Sequence, residues 1–248
     1  LAIAAGSHVA IVGASGAGKS SLCALPLGWH RASHGELLID GAPLHAERLI
    51  ALRRETAWVD PAIQLWNRSL LQNVEYGTID PSARLSAVLE AADVVRLLQQ
   101  LPDGLQTRLG DGGALVSGGE GQRVRLARAM LREDSRLVVL DEPFRGLDRA
   151  KRRQLLARAR ELWSHATLLC VTHDVGETLD FARVLVVEDG RIVEDGQPRE
   201  LAADPRSRYR AMLDAEHAVR EGLWRGKPWR RLELRAGVVV ESHDEMLT

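Results

Sequence analysis

The sequence predicts an α/β domain built on a mostly parallel sheet, and three observations carry that prediction. A short β-branched run, His8 to Val12, feeds into a glycine-rich loop and then into a helical pattern. A second apolar run, Arg136 to Leu140, stops abruptly at Asp141-Glu142-Pro143, and a third, Leu168 to Val171, stops just before His173. Apolar runs with chemistry-bearing residues at their carboxyl ends are the pattern of buried parallel strands whose outer crevice holds a ligand.

Composition bounds the answer before any motif does. With 248 residues, 45% hydrophobic and 27% charged, the chain has the balance of one packed globular domain, divided at most into lobes. Lys and Arg (33) nearly cancel Asp and Glu (34), so no global basic field concentrates nucleic acid or an anionic membrane. No specific nucleic-acid partner is expected, and any phosphate binding must be local. Cys23 and Cys170 lie far apart in apolar runs without CxxC spacing, which reads as core thiols in a reducing compartment. No apolar stretch approaches the roughly 20 residues that cross a bilayer. The chain opens on Leu1-Ala2-Ile3 with a phosphate loop close behind, so a longer upstream segment is expected.

The first loop is the most specific signal. Gly13-Ala14-Ser15-Gly16-Ala17-Gly18-Lys19-Ser20 is a full GxxxxGK[ST] match between strand and helix. Its glycines let backbone N–H groups turn inward around an anion, the following helix adds its positive end, and Lys19 reaches the terminal phosphates. Ser20 offers a hydroxyl to Mg2+, and the nucleotide-binding run is taken through Ser21. Pro26 removes a donor and crowds the carbonyl of Leu22, so the helix should bend or stop between Leu22 and Leu27.

Farther along, Val116-Ser117-Gly118-Gly119-Glu120 precedes apolar residues at helical spacing, which makes Ser117 a natural N-cap. Two successive glycines cost helix stability and need a reason, and close approach of an anion to the backbone supplies one. At the end of the second apolar run, Asp141 is placed to hold Mg2+ through water and Glu142 to polarise the attacking water.

With these motifs in hand the sequence resembles the nucleotide-binding domain of ABC transporters, whose signature usually reads LSGGQ, over roughly residues 6 to 200. The resemblance implies a P-loop NTPase core with a mostly parallel sheet, antiparallel strands and a helical subdomain. It implies ATP and Mg2+ as cofactors and a head-to-tail pair in which Ser117, Gly118, Gly119 and Glu120 of one domain cover the γ-phosphate held by the other. Gly146-Leu147-Asp148 looks like the D-loop, with Asp148 at the interface, and Val171-Thr172-His173-Asp174 like the switch-histidine segment, with His173 beside Glu142. His8, His30, His34, His45, His165, His217 and His243 have no such context and are read as solvated or edge residues. Val for Leu and Glu for Gln in the signature are mild departures.

Two family features are missing. The loop glutamine that senses Mg2+ aligns with Pro61, or with Asp60 after a one-residue shift; Asp60 is taken as its replacement, with Gln64 open if the loop is rearranged. The adenine-stacking aromatic lies upstream of the first residue in the family, and Trp29, Trp58 and Trp66 are read as core or partner-facing.

The resulting organisation is an ATP-binding core at 1–61 and 134–197, a helical signature subdomain at 62–133 and a C-terminal extension at 198–248. Gly35 to Gly41 reads as a strand and turn, Ser82 to Gln100 and Gly119 to Leu131 as helical, Lys151 to Trp163 as the helix before the histidine strand, and Val184 to Val193 as a hairpin. Beyond it an amphipathic helix is expected near Tyr209 to Leu223, a basic aromatic edge from Trp224 to Arg231, and one extra strand from Leu232 to Val240.

Thr107 to Gly113 and Asn67 to Gly77 look exporter-like, whereas Thr172-His173-Asp174 with Glu177-Thr178 resembles importer ATPases. The reading adopted is an ATPase powering export from the cytoplasmic face of a membrane, joined to a transmembrane domain absent from this chain and to a second nucleotide-binding domain, identical or related. Alternatives are a non-transport ABC ATPase, an importer subunit, or a regulatory module without turnover; the presence of Glu142 and His173 disfavours the last.

Overall fold

The structure, a computed structural model, describes residues 1–60, 62–78, 84–132, 134–225, 231–235 and 238–242. The chain runs through β1 (His8–Val12), α1 (Lys19–Ala24), β2 (Leu38–Ile39), β3 (Ala42–Pro43), α2 (Ala46–Arg54) and β4 (Thr56–Val59). A helical stretch follows with α3 (Leu70–Val74), α4 (Leu85–Ala91), α5 (Val95–Gln100) and α6 (Gly118–Met130). The chain then returns as β5 (Leu137–Asp141), α7 (Arg149–Leu162), β6 (Thr167–Val171), β7 (Arg183–Glu188) and β8 (Arg191–Gly196). It closes with α8 (Pro198–Ala203), α9 (Arg208–Arg225) and a hairpin of β9 (Arg231–Arg235) and β10 (Val238–Ser242).

The central sheet has the order β4-β5-β6-β1-β7-β8. All neighbours are parallel except β7 and β8, which form the hairpin turned by Asp189-Gly190. Both faces are buried: Ala10, Val12, Val138, Leu140, Leu168 and Cys170 pack into one apolar cluster. Val9, Ile11, Val139, Leu169, Val171 and Cys23 pack into the other. The two thiols therefore lie in clusters on opposite faces, and burial pushes Cys170 up to about 12. Since the connection from β6 jumps across β1 to β7, the strand order reverses at β1, and a crevice opens there at the carboxyl edge.

Local departures from the sequence reading have local causes. Helix α1 ends at Ala24, before Pro26, as the missing donor requires. The helical segment expected to Gln100 is two helices, because Asp93 adopts φ 58° between them. The single strand expected near Leu232 to Val240 is the antiparallel pair β9 and β10, and Gly226 to Arg230 of the basic aromatic stretch lie outside the described residues. Trp29 and Trp58 meet at 4.5 Å between ring centroids, and Trp66 meets Tyr76 at 4.2 Å.

The helical layer is tied together by a buried cation. Arg128 of α6 donates from Nε to the Asn73 carbonyl at 2.7 Å, from Nη2 to Asn73 Oδ1 at 3.2 Å, and lies 4.6 Å from the Trp66 ring centroid. Burial pulls its guanidinium down to about 10. Arg128→Met keeps the packing volume but strands these acceptors, so denaturant unfolding should show a loss of about 2–4 kcal/mol.

His8, expected to be solvated or at an edge, is half-buried, with Nε2 at 3.1 Å from the Trp163 carbonyl and Nδ1 accepting from Arg160 Nε at 3.4 Å. Burial leads in lowering its pKa below 6.5, with the Arg160 charge in the same direction and the Trp163 carbonyl opposing. A base depressed in the folded state leaves the unfolded chain binding more protons, so this contribution is present above pH 6.5 and is lost on acidification through the window below it. His8→Gln should remove that part of the slope when unfolding is followed between pH 5 and about 7.

Candidate nucleotide site

The carboxyl edge of the sheet gathers the chemistry because the register leaves no other place for it. Ile11 and Asp141 both pair with Val171, and Val59 pairs with Leu140. The residues that follow these strands, Gly13, Glu142, Thr172-His173 and Asp60, emerge along one rim.

Gly13 at φ 151° has no room for a side chain: a Cβ there would lie 2.1 Å from the Val187 carbonyl oxygen. Gly18 at φ 99° is the N-cap of α1, and that end carries no side-chain cap and no acidic residue, so its first N–H groups are free for an anion. Lys19 is 5% exposed, and its Nζ donates to the carbonyls of Gly13 at 2.9 Å and Ala14 at 2.8 Å. Two of three ammonium donors thus hold the loop and one remains for a ligand. Burial lowers the Lys19 pKa, against the pull of Glu142 and Asp141. Ser15, Gly16, Gly18, Lys19, Ser20, Ser21 and Glu142 line one recess over the loop. Ala14 and Ala17 complete the turn, with the Ala17 N–H bonded to the Ala14 carbonyl at 3.2 Å.

Asp141 is 4% exposed. Burial raises its pKa, the hydroxyl of Ser20 hydrogen-bonds it and opposes that rise, and the charges of Asp60 and Glu142 add to it. An excess of negative charge over Lys19, presented by hard oxygen donors, is an environment suited to a small divalent cation. Among the described residues no group of three or more His, Cys, Asp or Glu forms a metal cage. Mg2+ bound with a nucleotide needs none, because phosphates and water complete its octahedron. Asp60 follows Val59 as Asp141 follows Leu140, but its Oδ1 accepts from Ala62 N–H at 2.7 Å. Gln64 is exposed, and Pro61 lies outside the described residues.

Glu142 has φ 44°, a left-handed conformation that a side chain adopts at a cost of about 1–3 kcal/mol. Its N–H bonds the Val171 carbonyl at 3.0 Å, and its own carbonyl accepts from Gln122 Nε2 of α6 at 3.3 Å. The turn aims the carboxylate at His173, whose Nε2 contacts Glu142 Oε1. A cavity of about 450 Å³ opens beside this pair, bordered by Ser15, Arg145, Gly146, Glu142, His173 and Asp174.

Asp174 and Glu177, the residues that look importer-like, have a physical partner that the sequence did not disclose. Arg152 of α7 donates to Asp174 at 2.8 Å, to Glu177 at 3.1 Å and to the Leu147 carbonyl at 3.2 Å. One guanidinium therefore pins the Gly146-Leu147-Asp148 turn to the histidine loop. Burial raises the Glu177 pKa and Arg152 works against it.

The remaining candidates lie apart from the recess. Ser117 caps α6, its Oγ accepting from Glu120 N–H at 3.3 Å while the Glu120 carboxylate accepts from Ser117 N–H at 2.7 Å. The Ser117 N–H first, and the Ser117 hydroxyl donating to Glu120 Oε2 at 2.8 Å, hold Glu120 below its ordinary pKa. Gly119 leaves room for Leu147, whose Cδ2 would stand 3.0 Å from an added Cβ, and Gly118 faces open space. Asp148 caps α7 through Lys151 N–H at 2.9 Å. Among the described residues, Ser117, Gly118, Gly119, Glu120 and Asp148 line neither cavity. Of the residues missed by sequence reading, Gln122 and Arg152 carried no signal beyond residue type, because the rim groups they bond, Glu142 and Pro143 for one and Asp174 and Glu177 for the other, are 20 to 25 positions away.

Comparison with known proteins agrees with this geometry. A family model described as ABC transporter matches residues 1–145. The ATP-dependent lipid A-core flippase of Alkalilimnicola ehrlichii is 36% identical over 203 residues, covering 81% of this chain and 34% of that protein. The heterocyst differentiation ATP-binding protein HepA of a Nostoc species is 35% identical over 202 residues, covering 81% and 33%. A solved bacterial Atm1-family ABC exporter with ATP bound superposes with a TM-score of 0.82 at 31% identity, over 87% of this chain and 38% of that one. The chain thus spans about a third of the length of the curated relatives it matches. The chain belongs to the ABC transporter family, as its ATP-binding domain.

Proposed function

We propose that this chain binds ATP with Mg2+ and hydrolyses it to drive export across a membrane, paired head to tail with a second nucleotide-binding domain, identical or related. The observation that carries the reading is the Glu142–His173 contact at adjacent strand ends, beside a phosphate loop whose lysine is already oriented. ATP lies over Gly13 to Ser21, with the loop N–H groups and Lys19 on its phosphates. Ser20 through its hydroxyl, and Asp141 and Asp60 through water, would hold Mg2+, which would supply charge neutralisation at the phosphates. Glu142 orients and polarises the attacking water, and His173 holds Glu142 and the γ-phosphate in line.

Ser117, Gly118, Gly119 and Glu120, lining neither cavity of their own chain, face the γ-phosphate of the partner, with Asp148 at the same interface. Among the described residues no helix is long and apolar enough to cross a membrane. Relatives named as flippases, of which this chain spans 34%, support assigning the load to a transmembrane region with this domain on its cytoplasmic face. Relatives named as lipid A-core flippases and an exporter among the solved structures support the outward direction.

Glu142→Gln removes the base and leaves the loop intact. Steady ATP hydrolysis should fall roughly 10²–10⁴-fold while ATP binding persists and an ATP-bound dimer accumulates in size-exclusion chromatography. Wild-type turnover in this variant would sink the assignment. Lys19→Ala should behave in the opposite sense, weakening ATP binding itself by on the order of 10–100-fold in equilibrium titrations.

A further inference from the structure

Helix α6 carries a second arginine, Arg125, whose contacts lead from the loop after β4 to the turn of the base. Its Nε donates to the Ile63 carbonyl at 2.5 Å and its Nη1 to Gln122 Oε1 at 3.0 Å. Gln122, 3% exposed, then donates from Nε2 to the carbonyls of Glu142 at 3.3 Å and Pro143 at 3.2 Å. The loop end is equally tight: Ile63 N–H bonds the Asp60 carbonyl at 3.0 Å, and Asp60 Oδ1 takes the Ala62 N–H.

The direction of these bonds carries the argument. An amide side chain has a donor end and an acceptor end, and either can face a given neighbour. Arginine only donates, so Arg125 dictates that Gln122 turns its oxygen toward α6 and its NH2 toward the two carbonyls. Those carbonyls belong to the turn in which Glu142 is held at φ 44°. Without Arg125 the oxygen end of the amide loses its donor, and only the Glu142 and Pro143 carbonyls still hold its NH2 end, so the side chain is fixed at one end instead of two. The guanidinium has room because residue 121 is glycine: a Cβ there would lie 3.1 Å from Arg125 Nη1.

We propose that Arg125 is a positioning residue of the ATPase site, orienting the Gln122 amide so that the loop of Asp60 and the turn of Glu142 are set together. This rests on the function proposed above. Arg125 lines neither of the two cavities at the rim; it acts through Gln122 and Ile63.

The test is a double-mutant cycle on the purified chain, read in ATP turnover and, separately, in equilibrium binding of a fluorescent ATP analogue with Mg2+. Arg125→Met should lower kcat about 10-fold or more while nucleotide affinity stays within about 3-fold, because the phosphate loop is untouched. Gln122→Met removes both ends of the amide at similar volume and should give the same loss. The double variant should be no worse than either single one, since both break one relay. Arg125→Lys, which reaches one acceptor at a time, should recover part of the turnover. Gly121→Ala, which keeps the arginine but displaces its guanidinium, should reproduce the loss with the thermal midpoint largely retained.

Turnover within 2-fold of wild type in Arg125→Met, additive losses in the double variant, or a loss of affinity equal to the loss of turnover would each overturn the proposal. If Arg125→Met does not fold, Gly121→Ala and Arg125→Lys decide the matter on the same criteria. Glu142→Gln run alongside separates the two readings: if it retains turnover, the function proposed above fails; if it alone is inactive, only the role of Arg125 fails.

Discussion

The register of the parallel sheet is the constraint on which everything else depends. Four strands, β4, β5, β6 and β1, are paired so that Asp60, Asp141-Glu142, His173 and Gly13 leave the sheet along a single rim. A slip of one residue in β5 would turn Asp141 to the opposite face and carry Glu142 away from His173. Close packing on both faces opposes it, because Val138 and Leu140 fill one apolar cluster and Leu137 and Val139 the other, and Val and Leu do not exchange places without voids or overlap. The sheet core therefore acts on the site directly: its packing specificity is positional specificity for three carboxylates and an imidazole.

Strain at the rim is local and visibly opposed. Glu142 occupies a conformation that costs about 1–3 kcal/mol for a residue with a side chain. Its backbone N–H and carbonyl are both held, one by β6 and the other by α6. Helix α6 thus has three tasks along its length: a self-capped N-terminus, a buried middle that grips the Glu142 turn, and Arg128 anchoring the helical layer to Asn73. A displacement of α6 cannot leave Glu142 unaffected. Arg152 makes a parallel link on the other side, from the turn before α7 to the loop after His173.

What was legible in the sequence was whatever depends on neighbours in the chain. The phosphate loop, the strands ending in Asp141 and before His173, the Pro26 stop and the Ser117 cap each follow from a few consecutive residues. The links between segments were not legible. Gln122, Arg125, Arg128 and Arg152 look like ordinary helix-surface polar residues, and only the tertiary fold shows that their acceptors are backbone carbonyls, side-chain amide oxygens and carboxylates 3 to 64 residues away. The split at Asp93 was hidden because a single left-handed aspartate leaves helical periodicity on both sides intact. The contacts of His8 were hidden for a related reason: the carbonyl it meets, that of Trp163, lies 155 positions along the chain.

Glu120 shows how one residue can be legible in two ways. Set against the family signature it is a departure, a carboxylate where an amide is usual. Set against helix chemistry, Ser117-x-x-Glu120 is a capping box, and both reciprocal bonds are present. The second reading limits the first. Glu120 is held ionised by the Ser117 N–H, so the α6 N-terminus of the isolated chain already has its anion. A phosphate arriving there would exchange with that carboxylate, since two anions at about 4 Å repel by roughly 4 kcal/mol at an intermediate dielectric. In the pairing proposed above, a phosphate brought to α6 would meet this contact, and the free energy of that pairing would then include its rearrangement.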